Sequence, residues 1–306
     1  MKFTVYQESR QGGRSNNEDR TAYSYTRDAL LLVIADGMGG HHHGEIAAQI
    51  AVQTLVNSFQ REAKPLLSDP FLFLQRAIDQ AHLAIIDYAT RKQLSESPRT
   101  TIVTCVVQDS IAYWAHAGDS RLYLLRGGKV AAQTRDHSRI RLLLEEGMIS
   151  EAQAAHHPDR NKIYSCLGGN AAPEIEYSRK TPLEHGDVVL LATDGLWGVT
   201  SGELMAVALK GANLLQALPL LLAQAETRGG PHGDNLSAVA IRWEENYTEQ
   251  DEQVSTQTMA LHEVATQMEE FGRSAGYKGE LSDDEIEKAI EEIRAAIEKY
   301  NPRKQG

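Results

Sequence analysis

The stretch Thr101-Ile102-Val103-Thr104-Cys105-Val106-Val107-Gln108-Asp109-Ser110-Ile111-Ala112-Tyr113-Trp114-Ala115-His116-Ala117-Gly118-Asp119-Ser120-Arg121-Leu122-Tyr123-Leu124-Leu125-Arg126 holds three apolar runs, at 101–107, 111–117 and 120–126. Each has strand length and strand composition. A parallel crossover needs about a dozen residues or more, and these joints are far shorter, so this part of the sheet reads as antiparallel. Leu122 to Arg126, then Gly127-Gly128 and Lys129-Val130, reads as a hairpin with a two-residue turn. Working outward, 29–35, 187–193 and 236–243 are further strands. One helix spans Gly44–Glu62, and another starts at Asp69-Pro70, a capping residue followed by a first-turn proline. Its Phe71, Leu74, Ile78, Ala81 and Ile85 repeat at the spacing of one buried face. The pattern is α+β, not a doubly wound sheet.

Charge divides the chain. The 306 residues carry a net charge of −11, from 42 acidic and 31 basic side chains. That argues against a broad basic surface for nucleic acid or anionic lipid. Residues 246–306 hold 14 acidic and 7 basic side chains, and 248–258 is almost without apolar residues. The expectation is one folded domain at 1–245 and an acidic linker with a C-terminal amphipathic helix at 246–306. In the latter, Ser282-Asp283-Asp284-Glu285 is a capping box, and Ile286, Ile290, Ile293, Ile297 and Tyr300 form an apolar stripe. Such a stripe needs a partner, either the domain itself, another copy, or a kinase or scaffold.

Two cysteines, Cys105 and Cys166, are too few for a disulfide framework or a four-thiolate zinc site, and both read as packing residues. No run reaches the ~18–20 apolar residues of a membrane span. The first residues, Met1 to Glu8, carry charge where a secretory signal would be apolar. The expectation is a cytoplasmic protein that engages neither membrane nor nucleic acid.

Four aspartates stand at the ends of apolar runs, each beside a glycine: Asp36-Gly37, Gly118-Asp119, Asp194-Gly195 and Gly233-Asp234. One Asp-Gly is ordinarily a turn. If four strand ends converge, however, their carboxylates repel or protonate unless a cation neutralises them. Hard oxygen donors without a thiolate or repeated histidine motif point to Mg²⁺ or Mn²⁺. The chain has no P-loop, no Gly-x-Ser-x-Gly elbow and no His-Glu-x-x-His. Six residues beyond its cysteines stand Ile111 and Ala172, so the arginine of a cysteine-phosphatase loop is missing.

Five motifs now stand in order: Arg14-Ser15-Asn16-Asn17-Glu18-Asp19, Ala35-Asp36-Gly37-Met38-Gly39-Gly40-His41, Gly118-Asp119-Ser120-Arg121, Thr193-Asp194-Gly195-Leu196 and Gly233-Asp234-Asn235-Leu236. Over about residues 1–243 the chain resembles the metal-dependent serine/threonine protein phosphatases of the type 2C class, in their compact bacterial form. The resemblance implies two packed antiparallel sheets flanked by helices, an α-β-β-α sandwich with the metal site at one edge. It implies that Asp36 bridges two Mn²⁺ or Mg²⁺ ions, aided by the Gly37 carbonyl, and that Asp194 and Asp234 hold the second ion. It further implies an outer carboxylate at Asp19 or Glu18, a third-ion site at Asp119, a phosphate-binding Arg14 and a general acid at His41.

The resemblance also implies phosphoprotein substrates and an opposing bacterial kinase. Alternatives are a catalytically silent binding module and a metallohydrolase of small phosphoesters. Residues 145–162 resemble the variable flap over the bacterial site. His41-His42-His43 departs from the pattern, which usually has one histidine there; His42 and His43 read as solvent-facing.

Overall fold

The computed structural model describes residues 1–38, 43–154, 157–159, 162–245 and 265–268. The chain opens with β1 (Lys2–Arg10), β2 (Asp19–Tyr25) and β3 (Ala29–Met38), followed by helices α1 (Gly44–Glu62) and α2 (Pro70–Arg91). Next come β4 (Arg99–Thr100), β5 (Ile102–Gln108), β6 (Ile111–Ala117), β7 (Arg121–Arg126) and β8 (Lys129–Gln133). Short helices α3 (Arg139–Glu145) and α4 (Glu151–Ala154) precede β9 (Glu176–Tyr177), β10 (Thr181–Pro182) and β11 (Val188–Ala192). Then follow α5 (Asp194–Trp197), α6 (Gly202–Leu209), α7 (Leu214–Gly229), β12 (Leu236–Glu245) and β13 (Ala265–Met268).

Two antiparallel sheets result. One has the order β1-β12-β11-β7-β8; the other runs β10-β6-β5-β3-β2-β13, with β4 on β3 and β9 on β6. Alternation along single strands builds the layers, because successive side chains leave opposite faces. In β3, Leu31, Val33 and Ala35 pack under α1 and α2, while Leu30, Leu32 and Ile34 face the other sheet. In β11, Val189 and Leu191 meet that inner layer, whereas Val188, Leu190 and Ala192 turn to α6 and α7. Three apolar layers in series make the α-β-β-α sandwich. The capping expected at Asp69 is present: its Oδ1 accepts from the amides of Phe71 and Leu72 at 3.0 and 3.1 Å.

The three runs at 101–126 do not share one sheet. β5 and β6 pair, but β7 leaves for the other sheet and pairs with β11 and β8. The switch occurs at Gly118, whose φ of +110° suits glycine alone, and where a Cβ would lie 2.7 Å from the Thr101 side chain. Within 246–306, expected as linker and helix, the described residues 265–268 form a strand on the free edge of β2. Tyr23 Oη donates to Gln267 Oε1 at 2.5 Å, and Met268 packs against the α1–α2 core. An open sheet edge has unpaired backbone groups, which accounts for a strand where composition suggested a linker. The helix expected at 282–300 lies outside the described residues. Among the described residues no helix is long and apolar enough to cross a membrane.

Candidate active site

The β2–β3 ladder sets Asp19 directly opposite Asp36. Directly opposed residues project to the same face, so both carboxylates point into one place. The Asp36 backbone is held on both sides. Its amide donates to Thr101 Oγ1 at 3.0 Å, and its carbonyl accepts from the Thr101 amide at 2.8 Å and Thr100 Oγ1 at 2.9 Å. Thr101 Oγ1 is in turn 2.7 Å from Ser120 Oγ, beside Asp119. Gly37 lets α1 come close: a Cβ there would sit 2.3 Å from the Gly44 backbone and 2.8 Å from the Glu18 carbonyl.

From the opposite sheet, Asp194 follows β11 and Asp234 precedes β12. A Cβ on Gly195 would lie 2.1 Å from the Asn235 carbonyl, so only glycine allows these two strand ends to meet. Asn235 then fastens the N-terminal loop. Its Oδ1 accepts from the Glu18 amide at 2.9 Å, and Nδ2 donates to the carbonyls of Gln11 and Asn16, both at 2.8 Å. That loop presents Arg14, whose Nη2 donates to Asp234 Oδ2 at 2.6 Å. Thr193 Oγ1 donates to Asp19 Oδ2 at 2.8 Å, and Asp19 is fully buried.

Asp36, Asp119, Asp194 and Asp234 still reach the cleft surface, yet protein crowds them. Burial first, then the charges of Asp19, Asp194, Asp119 and Asp234, hold the Asp36 carboxyl well above its ordinary range. Asp194 is raised in the same way, by burial and then by Asp119, Asp234 and Asp19. Burial followed by Asp136 brings Asp119 to about 6. Glu18 rises to about 7, through burial and then Glu45. Asp194 Oδ1 is buried without a hydrogen-bond partner among the described residues. An oxygen in that position is costly unless something bonds it. Five converging carboxylates and one orphaned oxygen fit a divalent cation, which takes hard oxygen donors and neutralises their repulsion.

The five aspartates and Arg14 expected from the sequence therefore meet in one cleft. His41, expected as the general acid, lies outside the described residues. Of the two candidates for the outer carboxylate, Asp19 is the one opposite Asp36, while Glu18 Oε2 lies against Gly44. Thr100 and Thr101 escaped the sequence reading, because nothing in an isolated threonine tells which backbone it will hold, whereas Thr193 opens the Thr-Asp-Gly motif. Asn235 carried a signal, since it completes the Gly-Asp-Asn motif.

A second group of metal-capable side chains, His116, His137 and Glu176, has ligand atoms within 4.8 Å of one another. The two imidazoles stack, with centroids 4.7 Å apart, and His116 Nε2 lies 2.6 Å from the Arg135 carbonyl. Both Nε2 atoms face the same Glu176 oxygen, at 4.0 and 3.7 Å, but His116 Nε2 is already engaged by the Arg135 carbonyl, and the group reads as packing. It sits at the first root of the flap expected at 145–162, which α3 leads into and which contains α4. The His137 amide donates to the Gly118 carbonyl at 2.9 Å, beside Asp119. The second root bonds back as well: Thr100 and Leu167 exchange both backbone bonds, at 3.2 and 2.9 Å. Arg121 joins the first root to α5, bonding both oxygens of Asp136 at 2.7 Å with its guanidinium 3.6 Å above the Trp197 ring.

A sequence model described as Protein phosphatase 2C matches residues 7–218. The serine/threonine phosphatase stp of Listeria innocua is 29% identical over 231 residues, covering 74% of this chain and 90% of its own. The serine/threonine protein phosphatase PstP of Mycobacterium tuberculosis is 32% identical, covering 74% of this chain and 42% of its own. Among solved structures, the Streptococcus agalactiae (S. agalactiae) serine/threonine phosphatase superposes with a TM-score of 0.72 at 27% identity, over 79% of this chain and all of that one. The PstP catalytic domain in complex with two manganese ions superposes at 0.68 and 30% identity, over 79% of this chain and 99% of that one. Sandwich, aspartate cleft and relatives agree, and the chain belongs to the protein phosphatase 2C family of metal-dependent serine/threonine phosphatases.

Proposed function

We propose that the aspartate cleft hydrolyses phosphoserine and phosphothreonine in proteins with two Mn²⁺ or Mg²⁺ ions as cofactor, opposing a serine/threonine kinase. Asp36 and the Gly37 carbonyl would hold one ion, Asp36, Asp194 and Asp234 the other, with Asp119 available to a third. Bound there, such ions acidify a water for in-line attack and offset charge on the phosphoryl oxygens. The remaining steps belong to the chain's own side chains. Arg14, more than half exposed, exchanges its bond to Asp234 for two phosphate oxygens. Asp19, fixed by Thr193, turns its carboxyl toward Asp36 and would orient water at the cleft floor. His41, by its place in the Asp-Gly-Met-Gly-Gly-His motif, is assigned the proton given to the leaving serine or threonine oxygen.

The observation that carries this reading is the crowding of Asp36 and Asp194 by other carboxylates, with Asp194 Oδ1 left unbonded. The test is hydrolysis of a phosphothreonine peptide in EDTA, then with Mn²⁺ or Mg²⁺ restored. Activity should vanish and return, and Asp194→Ala should prevent the return. Full activity in EDTA would refute the ion-dependent mechanism.

A further inference from the structure

Next to the aspartate cleft lies a second cavity of about 570 Å³, which the reaction described above does not use. Met38, at the end of β3, forms one wall, and Arg99 pairs directly with it across the β3–β4 ladder. Met38 stands two residues beyond Asp36, about 7 Å at the rise of a strand. A substrate peptide in extended form covers the same distance in two residues. Whatever fills this cavity is therefore one to three residues from the phosphorylated side chain.

The lining has a defined chemistry. Ser97 Oγ and His43 Nδ1 are buried atoms with no hydrogen-bond partner among the described residues, so His43, expected to face solvent, is in fact partly enclosed. Both line the cavity, together with Arg99. Arg99 is exposed and makes no ion pair among the described residues. A hydroxyl, an imidazole nitrogen and a guanidinium can all donate at once, and a carboxylate is the peptide group that accepts from all three. Met38 and Leu94 supply apolar wall for the methylenes that precede such a carboxylate. Glu96 also lines the cavity and is exposed, as Arg99 is, so solvent screens both charges and the two hydrogen-bond donors carry the selectivity beside Arg99.

We propose that this cavity is a specificity subsite for an acidic residue, glutamate or aspartate, within three residues of the phosphoserine or phosphothreonine. The assignment rests on the phosphatase reading of the neighbouring cleft. Occupation bonds Ser97 Oγ and His43 Nδ1, which have no partner among the described residues, and pairs Arg99. It acts on the choice of protein substrate and leaves the reacting atoms alone.

The test uses the full-length, Mn²⁺-loaded enzyme and a set of phosphothreonine peptides. Each carries Glu, Gln or Lys at one of the three positions on either side, and an aryl phosphate is the control without flanking residues. One position should favour Glu over Gln by about tenfold in kcat/KM, the scale of a hydrogen bond to a charged group. Arg99→Glu should invert that preference toward Lys, and Ser97→Ala should weaken it. Both variants should hydrolyse the aryl phosphate like the parent. Equal rates on all peptides, a preference for Lys in the parent, or an unchanged Glu preference in Arg99→Glu overturns the subsite while the phosphatase reading stands. No hydrolysis of either peptide or aryl phosphate overturns the phosphatase reading and the subsite with it.

Discussion

Thr193 Oγ1 donates a 2.8 Å hydrogen bond to Oδ2 of Asp19, and it does so from one sheet to the other. Thr193 stands just past the end of β11, at the start of α5, while Asp19 opens β2 opposite Asp36. The Ser237 amide donates to the same hydroxyl at 3.0 Å, so Thr193 is itself held in place. Thr193→Val keeps the shape and removes the donor. It should weaken Mn²⁺ binding by about tenfold or more, the usual cost of losing a group that orients a ligand. Calorimetric Mn²⁺ titration of both proteins checks this; equal affinities would show that Asp19 needs no such support.

Chelated protein should lose stability as pH rises. Asp119 at about 6 and Glu18 at about 7, with Asp36 and Asp194 also raised, bind protons more tightly folded than unfolded. Their contribution is complete below the ordinary carboxylate range, ~4, and is lost as pH climbs through the folded values. In EDTA the melting temperature should therefore fall between pH 4 and pH 7. Excess Mn²⁺ should remove most of that fall, since ions take the place of the protons. Parallel melting curves with and without Mn²⁺ would contradict the aspartate cleft as the source.

Asn235→Ala breaks three hydrogen bonds that fasten 11–18 to the β12 end. A loss of roughly 2–4 kcal/mol in unfolding free energy is expected, at about 1 kcal/mol per bond. The loop also carries Arg14, so KM for an aryl phosphate should rise more than kcat falls. Denaturant melts and steady-state kinetics measure the two effects separately.

Arg14→Ala and His41→Ala should differ in kind. Without Arg14, phosphate is held less well and KM rises. Stability should hardly change, because the exposed Arg14–Asp234 pair contributes little in water. Without His41, kcat should fall on a phosphothreonine peptide, whose leaving group needs a proton, and much less on an activated aryl phosphate. Equal losses on both substrates would remove His41 from the proton-transfer role.

Removal of residues 246–306 takes away β13 and bares the backbone edge of β2 from Ala22 to Tyr25. Turnover of an aryl phosphate should stay within about threefold, well under the ~1.4 kcal/mol of a tenfold change. Association in solution should increase, because an uncovered strand edge pairs with other chains. Light scattering and Mn²⁺-dependent turnover on the truncated protein test both halves of this expectation.

The chemistry of this molecule was easier to read in its sequence than its topology. Aspartates beside glycines at strand ends are visible as text, and the cleft assembles four of them with Asp19. The helix Gly44–Glu62 and the strand Ile111–Ala117 were equally plain, having long periodic or apolar patterns. Lys2–Arg10 was missed because it is half-buried along most of its length, with polar and charged residues throughout. The leucine-rich α7 was passed over too, with Pro219 inside it where a proline normally argues against helix. That β7 leaves its neighbour β6 for the other sheet follows from packing at Gly118 against Thr101, a contact between distant parts of the chain.

The flap roots connect two events usually treated apart. His137 bonds Gly118 beside Asp119, and Thr100 bonds Leu167 of the second root while its hydroxyl holds the Asp36 carbonyl. Displacing the flap thus strains the backbone of two carboxylates that would receive ions. Linkage is reciprocal, so whatever factor a flap-bound protein changes ion affinity by, the ions change affinity for that protein equally. With ions bound, the grip on a protein held at these roots would rise and fall with divalent-metal concentration, alongside the rate.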